Sequence, residues 1–493
     1  MPERLGPSYD QLHVVSDLHI GGERTFQIFR RGPELCALIQ HLRSNVGSGT
    51  LGLLVNGDMV DFLAEPSARC FDPYGAANKL QRIFSDPSFA PVWNALRAFA
   101  ATPGCRLVIN LGNHDLELAL PWVREELLAF LTGDDDAARG RVTILTDGTG
   151  FRCTVGDKRV LCVHGNEVDT WNVADHEMIR CIGRDIVQGR TVPDWTPNAG
   201  TRLVIDVMND IKRKYAFVDL LKPEAEAVVP VLVALDDSQL PRLQRIMAVA
   251  SRLSWDKLRR ATGFLSQGEQ IAPTSLEIEE GTPWNRRERP DRVAAGAMPF
   301  TAHTEASVLL ANAEDNFRQG IDPVFLVESG MTEQLGVASA TWTWVRGKSR
   351  EEVLYEALRD LAKDRSFELH EGDDTFRRVD KYVGSDFDFV VTGHTHMEKE
   401  IPRSNGSGGM YFNTGSWIPR IRFTPEMLAS FTTFRPVLEA LRSGRTVTDL
   451  EAHSGLVLSR PMVLSIRKQG PTVSAAMQKV SLVDDTIQFG PAV

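Results

Sequence analysis

Leu51-Gly-Leu-Leu-Val-Asn-Gly-Asp-Met-Val-Asp61 is the stretch that decides the fold. Its first five residues form an apolar run of the length of a buried strand, and the run stops on Asn-Gly-Asp, which favours a turn. The same layout recurs along the chain. Leu12-His-Val-Val-Ser16 leads into Asp17-Leu-His19, and Leu107-Val-Ile-Asn110 leads into Leu-Gly-Asn113-His114-Asp115. Val160-Leu-Cys-Val163 leads into His164-Gly165, and Phe387-Asp-Phe-Val-Val-Thr392 leads into Gly393-His394-Thr-His396. Between the early runs, Leu35, Leu38, Ile39 and Leu42 recur at helical spacing, and residues 89–99 read as a second helix. Strands alternating with helices predict an α/β architecture. In such sheets ligands bind beyond the carboxyl ends of the strands, where loops distant in sequence converge.

Composition narrows the class. The chain has 493 residues, 42% of them apolar, which excludes a disordered chain and predicts two or three domains. A core of that size needs no disulfide staple. The six cysteines are scattered, with no C-x-x-C pair, as expected of a cytoplasmic protein. No apolar run reaches the ~20 residues of a membrane span. Residues 1–10 hold no apolar stretch of the signal-peptide kind. With 65 acidic against 55 basic residues the net charge is −10, which does not point to a nucleic-acid partner, although a local basic patch stays open.

The spacing of the blocks predicts an insertion. Asp58 follows His19 by 39 residues, Asn113 follows Asp58 by 55 and His164 follows Asn113 by 51, but 230 positions separate His164 from His394. The reading is a core in two parts, 1–182 and 381–493 with a C-terminal extension, interrupted by a mainly helical segment, 183–380, that serves as a cap or as a packing surface. Val353, Leu354, Ala357, Leu358 and Leu361 form one apolar stripe in it, and Leu203, Val204, Val207 and Ile211 another. Residues 277–292 read as an exposed charged loop. Lys212-Arg-Lys214 and the group Arg286, Arg287, Arg289 and Arg292 either meet phosphates or are solvated faces. Trp342 and Trp344 alternate as on one strand face, for stacking or for the core.

The five loops concentrate metal-ligand chemistry. Five of the eleven histidines fall in them, beside Asp17, Asp58, Asp61, Asn113 and Asp115. Alternate residues of an extended segment share a face, so Asp17 and His19 can address one site, as can His394 and His396. Asp with His suits a hard or borderline divalent cation. A carboxylate such as Asp58 can stand between two cations that would otherwise repel, which a neutral amide cannot.

The ordered series Asp17-x-His19, Gly57-Asp58-x-x-Asp61, Gly112-Asn113-His114-Asp115, His164-Gly165 and Gly393-His394-x-His396 resembles the calcineurin-like metallophosphoesterase family. The resemblance covers about residues 10–180 and 380–420. It implies a four-layer α/β/β/α sandwich and two divalent metal ions, Mn²⁺ first and Fe, Zn or Ni otherwise. Asp17, His19 and His396 would hold the first ion, Asp58 both, and Asn113, His164 and His394 the second. His114 would face the scissile phosphate with Asp115 as its orienting partner, and Asp61 would play a supporting part.

The resemblance further implies hydrolysis of a phosphate-containing substrate by a hydroxide held between the ions. Its histidine would assist as general acids do, by ~10²–10⁴-fold. The stretches His164-Gly-Asn-Glu-Val-Asp169 and Tyr411-Phe-Asn-Thr-Gly-Ser-Trp417 are similar to the branch of UDP-2,3-diacylglucosamine pyrophosphohydrolases, which commonly carry Arg where this chain has His114. The expected reaction is cleavage of a phosphodiester or pyrophosphate. A nuclease whose inserted segment grips a strand, and a catalytically weak binding module on the same scaffold, are the alternatives.

Overall fold

The Leu51–Asn56 strand is buried along its entire length, which explains why its sequence is an unbroken apolar run rather than an alternating one. A computed structural model describes residues 6–221 and 349–492, except 25–26, 170–171, 193–194, 196, 199, 202–203, 213–214, 362–367, 405, 407, 445 and 454. Leu203, Arg213, Lys214, the arginines of 286–292, Trp342 and Trp344 lie outside the described residues, as does most of the predicted insertion.

The architecture is α/β, built on two mixed sheets. The seven-stranded sheet runs in the order Thr486–Pro491, Thr472–Val483, Met462–Gln469, Gln11–Val15, Leu51–Asn56, Cys105–Asn110 and Val142–Ile144. Its last four strands are parallel neighbours, with Val15 opposite Val55 and Asn56 opposite Asn110. The first three are joined antiparallel, so that Leu464 faces Val14. The six-stranded sheet runs Ser8–Tyr9, Phe151–Val155, Lys158–Cys162, Phe389–Thr392, Met410–Thr414 and Glu398–Pro402. In it Lys158–Cys162 and Phe389–Thr392 are parallel, with Val160 opposite Phe389.

Among the described residues, three apolar clusters hold these elements. Leu12, Val14, Leu54 and Leu464 of one sheet pack with Phe151, Val160, Val391 and Phe412 of the other. On the opposite face of the seven-stranded sheet, Leu53, Val55, Leu107 and Ile109 meet the helices Gly32–Ser44, Ala90–Ala101 and Pro121–Thr132 through Leu38, Leu96 and Leu127. Phe376 and Val379 of the Asp374–Tyr382 helix cover Val390 and Tyr411 of the six-stranded sheet. The Gly32–Ser44 helix starts on a proline in its first turn, which needs no amide donor there, and buries the four residues whose spacing predicted it. Truncating Leu38, which is fully buried, to Ala would cost about 2–5 kcal/mol.

The site loops are shared between the sheets. Those after Gln11–Val15, Leu51–Asn56 and Cys105–Asn110 leave the larger sheet, and those after Lys158–Cys162 and Phe389–Thr392 leave the smaller. Within residues 183–380, Val204–Met208 is a π-helix followed by the helical turn Asn209–Lys212, and Arg350–Leu361 is an α-helix with Leu354 and Leu358 fully buried. All six cysteines are free. Among the described residues, no helix is long and apolar enough to cross a membrane.

Candidate metal centre

Asp17, His19, Asp58, His394 and His396 all stand in the left-handed backbone region, with φ between 49° and 69°. For residues other than glycine such a conformation costs about 1–3 kcal/mol each, and it persists only where surrounding structure enforces it. Five of the eight such residues among those described belong to the loops singled out from the sequence. Glycines make room for them. A Cβ on Gly112 would stand 2.1 Å from Asp58 Oδ1, and one on Gly393 would stand 2.5 Å from Asp17 Oδ2.

The turns aim side chains into one volume. His19 Nε2 lies 3.3 Å from His396 Nε2 and 3.7 Å from Asp58 Oδ2. His396 Nε2 lies 3.2 Å from Asp17 Oδ1, and His164 Nε2 lies 3.2 Å from Asp58 Oδ2 and 3.9 Å from Asp17 Oδ1. Three overlapping groups result: Asp17, His19 and His396; His19, Asp58 and His114; Asp17, Asp58 and His164. In each, the ligand atoms lie within 4.8 Å of one another. These buried groups can hold a metal ion.

Two of the other ring nitrogens have partners of their own. His164 Nδ1 lies 2.8 Å from the Asn56 carbonyl and His19 Nδ1 lies 3.1 Å from Asp61 Oδ2. Both partners are acceptors, so Nδ1 donates and Nε2 is the nitrogen that faces inward. Asn113 Oδ1 is buried and makes no hydrogen bond, the condition of an oxygen placed for a ligand the hydrogen-bond network does not supply. His394 stands outside the three tight groups. Its Nε2 lies 2.9 Å from Asp169 Oδ2, which leaves Nδ1 as the ring's lone pair, and its ring is 5.4 Å from that of His164.

One expectation is corrected. Asp115 does not touch the His114 ring: its carboxylate accepts the backbone N–H of Gly112 and of Met59, each at 2.7 Å. The ring's partner is Asp61, whose Oδ1 lies 3.1 Å from His114 Nδ1 while its Oδ2 faces His19. Asp61 is reached because the third residue beyond Asp58 turns back under the loop, with its Oδ1 also taking the amides of Leu63 and Ala64 at 3.0 Å.

The electrostatics follow from this crowding. Burial works against ionisation of Asp17, but His396 and His164 outweigh it and hold the carboxyl at about 2. Asp58 is likewise buried and held well below the carboxylate range by His164, His114 and His19. Burial opposes a charge on His164, yet Asp58 and Asp17 push it up to about 10. His114 is raised to about 9 by Asp61 and Asp58 against its burial. Asp115, buried beside Asp58, is pushed up to about 7. The His114 side chain is 19% exposed where that of His164 is closed off at 0%, so His114 is the more accessible of the two rings.

Asp169, the Asn56 carbonyl and the shared role of Asp61 were not read from the sequence. A backbone carbonyl carries no residue-type signal, whereas Asp169 closes the His164-Gly-Asn-Glu-Val-Asp169 stretch and was open to reading. No family model and no curated protein matches the chain.

Proposed function

We propose that this chain is a metal-dependent hydrolase of phosphoester bonds, of the calcineurin-like kind, cleaving a phosphodiester or a pyrophosphate. The sheets and the clusters on both faces of each agree with a four-layer α/β/β/α sandwich, and residues 183–380 are proposed as the inserted segment. The observation that carries the reading is the convergence of imidazole nitrogens and carboxylates in one strained pocket, His19 Nε2 facing His396 Nε2 at 3.3 Å between Asp17 and Asp58.

That donor set fits two divalent cations, Mn²⁺ foremost. Asp17, His19 and His396 would hold one, Asn113, His164 and His394 the other, with Asp58 shared. Such ions supply Lewis acidity toward phosphoryl oxygens and a water acidic enough to serve at neutral pH. The remaining work falls to the chain's own groups. Asp58 sets negative charge where two cations would repel. Asp61 holds the His114 ring and favours its protonated form, so that His114 can donate to an oxygen of the substrate or its leaving group. Glu167 accepts the amides of His164 and Gly165 and fixes the loop that carries the former.

The test is a panel with Mn²⁺: a chromogenic monoester, a chromogenic diester, a UDP-sugar, and single- and double-stranded DNA. The parent is expected to turn over the diester or the UDP-sugar fastest. Preference for DNA with steep salt dependence would favour the nuclease. A parent that takes up Mn²⁺ and cleaves none of the panel would sink the proposal.

A further inference from the structure

We propose that Arg420 is a positioning residue of the metal centre: its guanidinium holds the carbonyl of His396 and thereby sets the Asp17–His19–His396 half of the pocket for a cation. The inference rests on the two-cation reading above and adds to it a residue that touches neither metal nor substrate.

The chain from Asn413 to Arg420 forms a brace between the two walls of the pocket. Asn413 Nδ2 donates to the Gly393 carbonyl at 2.7 Å, in a loop of the smaller sheet. Ser416 Oγ and the Trp417 amide both donate to the Asp17 carbonyl at 3.2 Å, in a loop of the larger sheet. Trp417 Nε1 donates to the Met462 carbonyl at 3.0 Å, which ties the brace to a strand of the larger sheet. Three residues on, Arg420–Ile421 pairs antiparallel with Val457–Leu458, Arg420 opposite Leu458. The backbone of Arg420 is thus fixed independently of what its side chain reaches.

That side chain is fully buried, so it cannot meet a solute. Its Nη1 donates to the His396 carbonyl and to Glu398 Oε2, the latter at 3.0 Å, and its Nη2 pairs with Glu398 Oε1. His396 stands at φ 60°, a conformation that persists only where neighbours impose it. A donor on that residue's own carbonyl resists the peptide rotation that would relax it. The place of His396 Nε2 depends on this, 3.2 Å from Asp17 Oδ1 and 3.3 Å from His19 Nε2. Glu398 keeps the guanidinium aimed, and Gly415 makes room for it: a Cβ there would stand 2.8 Å from the Glu398 side chain. Stability alone does not account for the pair, since apolar residues of similar volume commonly replace a buried ion pair without loss. Arg420 Nε is moreover buried without a hydrogen bond, whereas Arg403 uses all three of its nitrogens.

The experiment titrates metal-free, full-length protein with Mn²⁺, reading affinity by calorimetry and the pairing of the ions by electron paramagnetic resonance. The test variant is Arg420→Met with Glu398→Met, which removes both charges together and leaves neither buried alone. Arg420→Met with Glu398→Gln takes its place if the first does not fold, as judged by urea unfolding without metal. Arg403→Met with Asp380→Met is the control, a buried pair removed away from the site. The parent is expected to take up two Mn²⁺ with a spin-coupled spectrum. The Arg420 variant should bind one of them about 10–100-fold more weakly and the other as the parent does, so that a single-ion spectrum appears at intermediate Mn²⁺. The control should match the parent. Parent-like affinity for both ions in the folded Arg420 variant overturns the inference. Equal weakening of both ions, or equal weakening in the control, does so too, because either marks a general loosening of the fold. A parent that takes up fewer than two Mn²⁺ overturns the two-cation reading itself, and a parent that binds two and cleaves nothing overturns only the phosphoesterase reading.

Discussion

Among the described residues, two of the buried charge clusters are built on opposite plans. Arg403 and Asp380 form a closed pair with side chains 0% and 2% exposed. The guanidinium donates to Asp380 Oδ1 at 2.7 Å and to the carbonyls of Phe387 and Val383, and Asp380 Oδ2 takes the amide and hydroxyl of Ser404. Donors meet acceptors, and neither residue stands in the left-handed region. In the Asp17–Asp58 pocket, imidazoles and carboxylates crowd together on strained backbone and Asn113 Oδ1 has no partner. Burial of charge is thus common to a staple and to a site. What separates them is whether the chain itself satisfies the charges.

The comparison breaks most decisively at Asp58. Asp58→Ala is expected to reduce turnover by more than about 10³-fold and to lower Mn²⁺ stoichiometry by elemental analysis, since the two proposed cations would lose the carboxylate they share. Asp380→Asn should do the reverse. It leaves Arg403 buried without its counter-charge, costing about 3–5 kcal/mol in urea unfolding, with metal content unchanged. If Asp380→Asn lost metal and Asp58→Ala lost only stability, the two plans would have been assigned to the wrong clusters.

Asp61→Asn should slow turnover by about 10²-fold while metal stays bound, and Asp61 rather than Asp115 sets the pH profile. The carboxylate raises His114, so a rate that needs the protonated ring falls as pH rises through that ring's pKa. Removing the charge lowers that pKa, and the basic limb of the profile should move to lower pH. A limb that stays in place argues against the Asp61–His114 pair. The smallest effect is proton release. His164 is held protonated, near 10, by Asp58 and Asp17 against its burial, so it must give up its proton to bind metal. Affinity for Mn²⁺ should therefore fall as pH is lowered. At pH 7, calorimetric uptake should vary with the buffer's protonation enthalpy by about one proton, and a buffer-independent heat would contradict this.

Much of this pocket was legible in the sequence, because apolar runs ending in Asp, Asn or His mark strand ends, and strand ends converge. Asp17, His19, Asp58, His164 and His396 needed no more than that. The division of their loops between two sheets was not legible, since a parallel pair and a pair across an interface have the same apolar texture. The Thr472–Val483 strand was missed because most of it is partly exposed, so no apolar run announces it. Asp115 was placed beside His114 from adjacency in the family's motif. In space, the turn after Asp58 brings Asp61 there instead, a folding-back that residue types alone do not encode.

The register of the two sheets also sets a schedule. Val14 pairs with Leu464, and Val160 pairs with Phe389, so strands synthesised early wait for neighbours made hundreds of residues later. At about 5–20 residues per second, a ribosome takes on the order of tens of seconds to cross that distance. During that interval the nascent chain carries Asp17, His19, Asp58 and His164 without His396, half a cage open to whatever cation is abundant around it. Expression medium is therefore a variable to control when the metal content of the protein is measured.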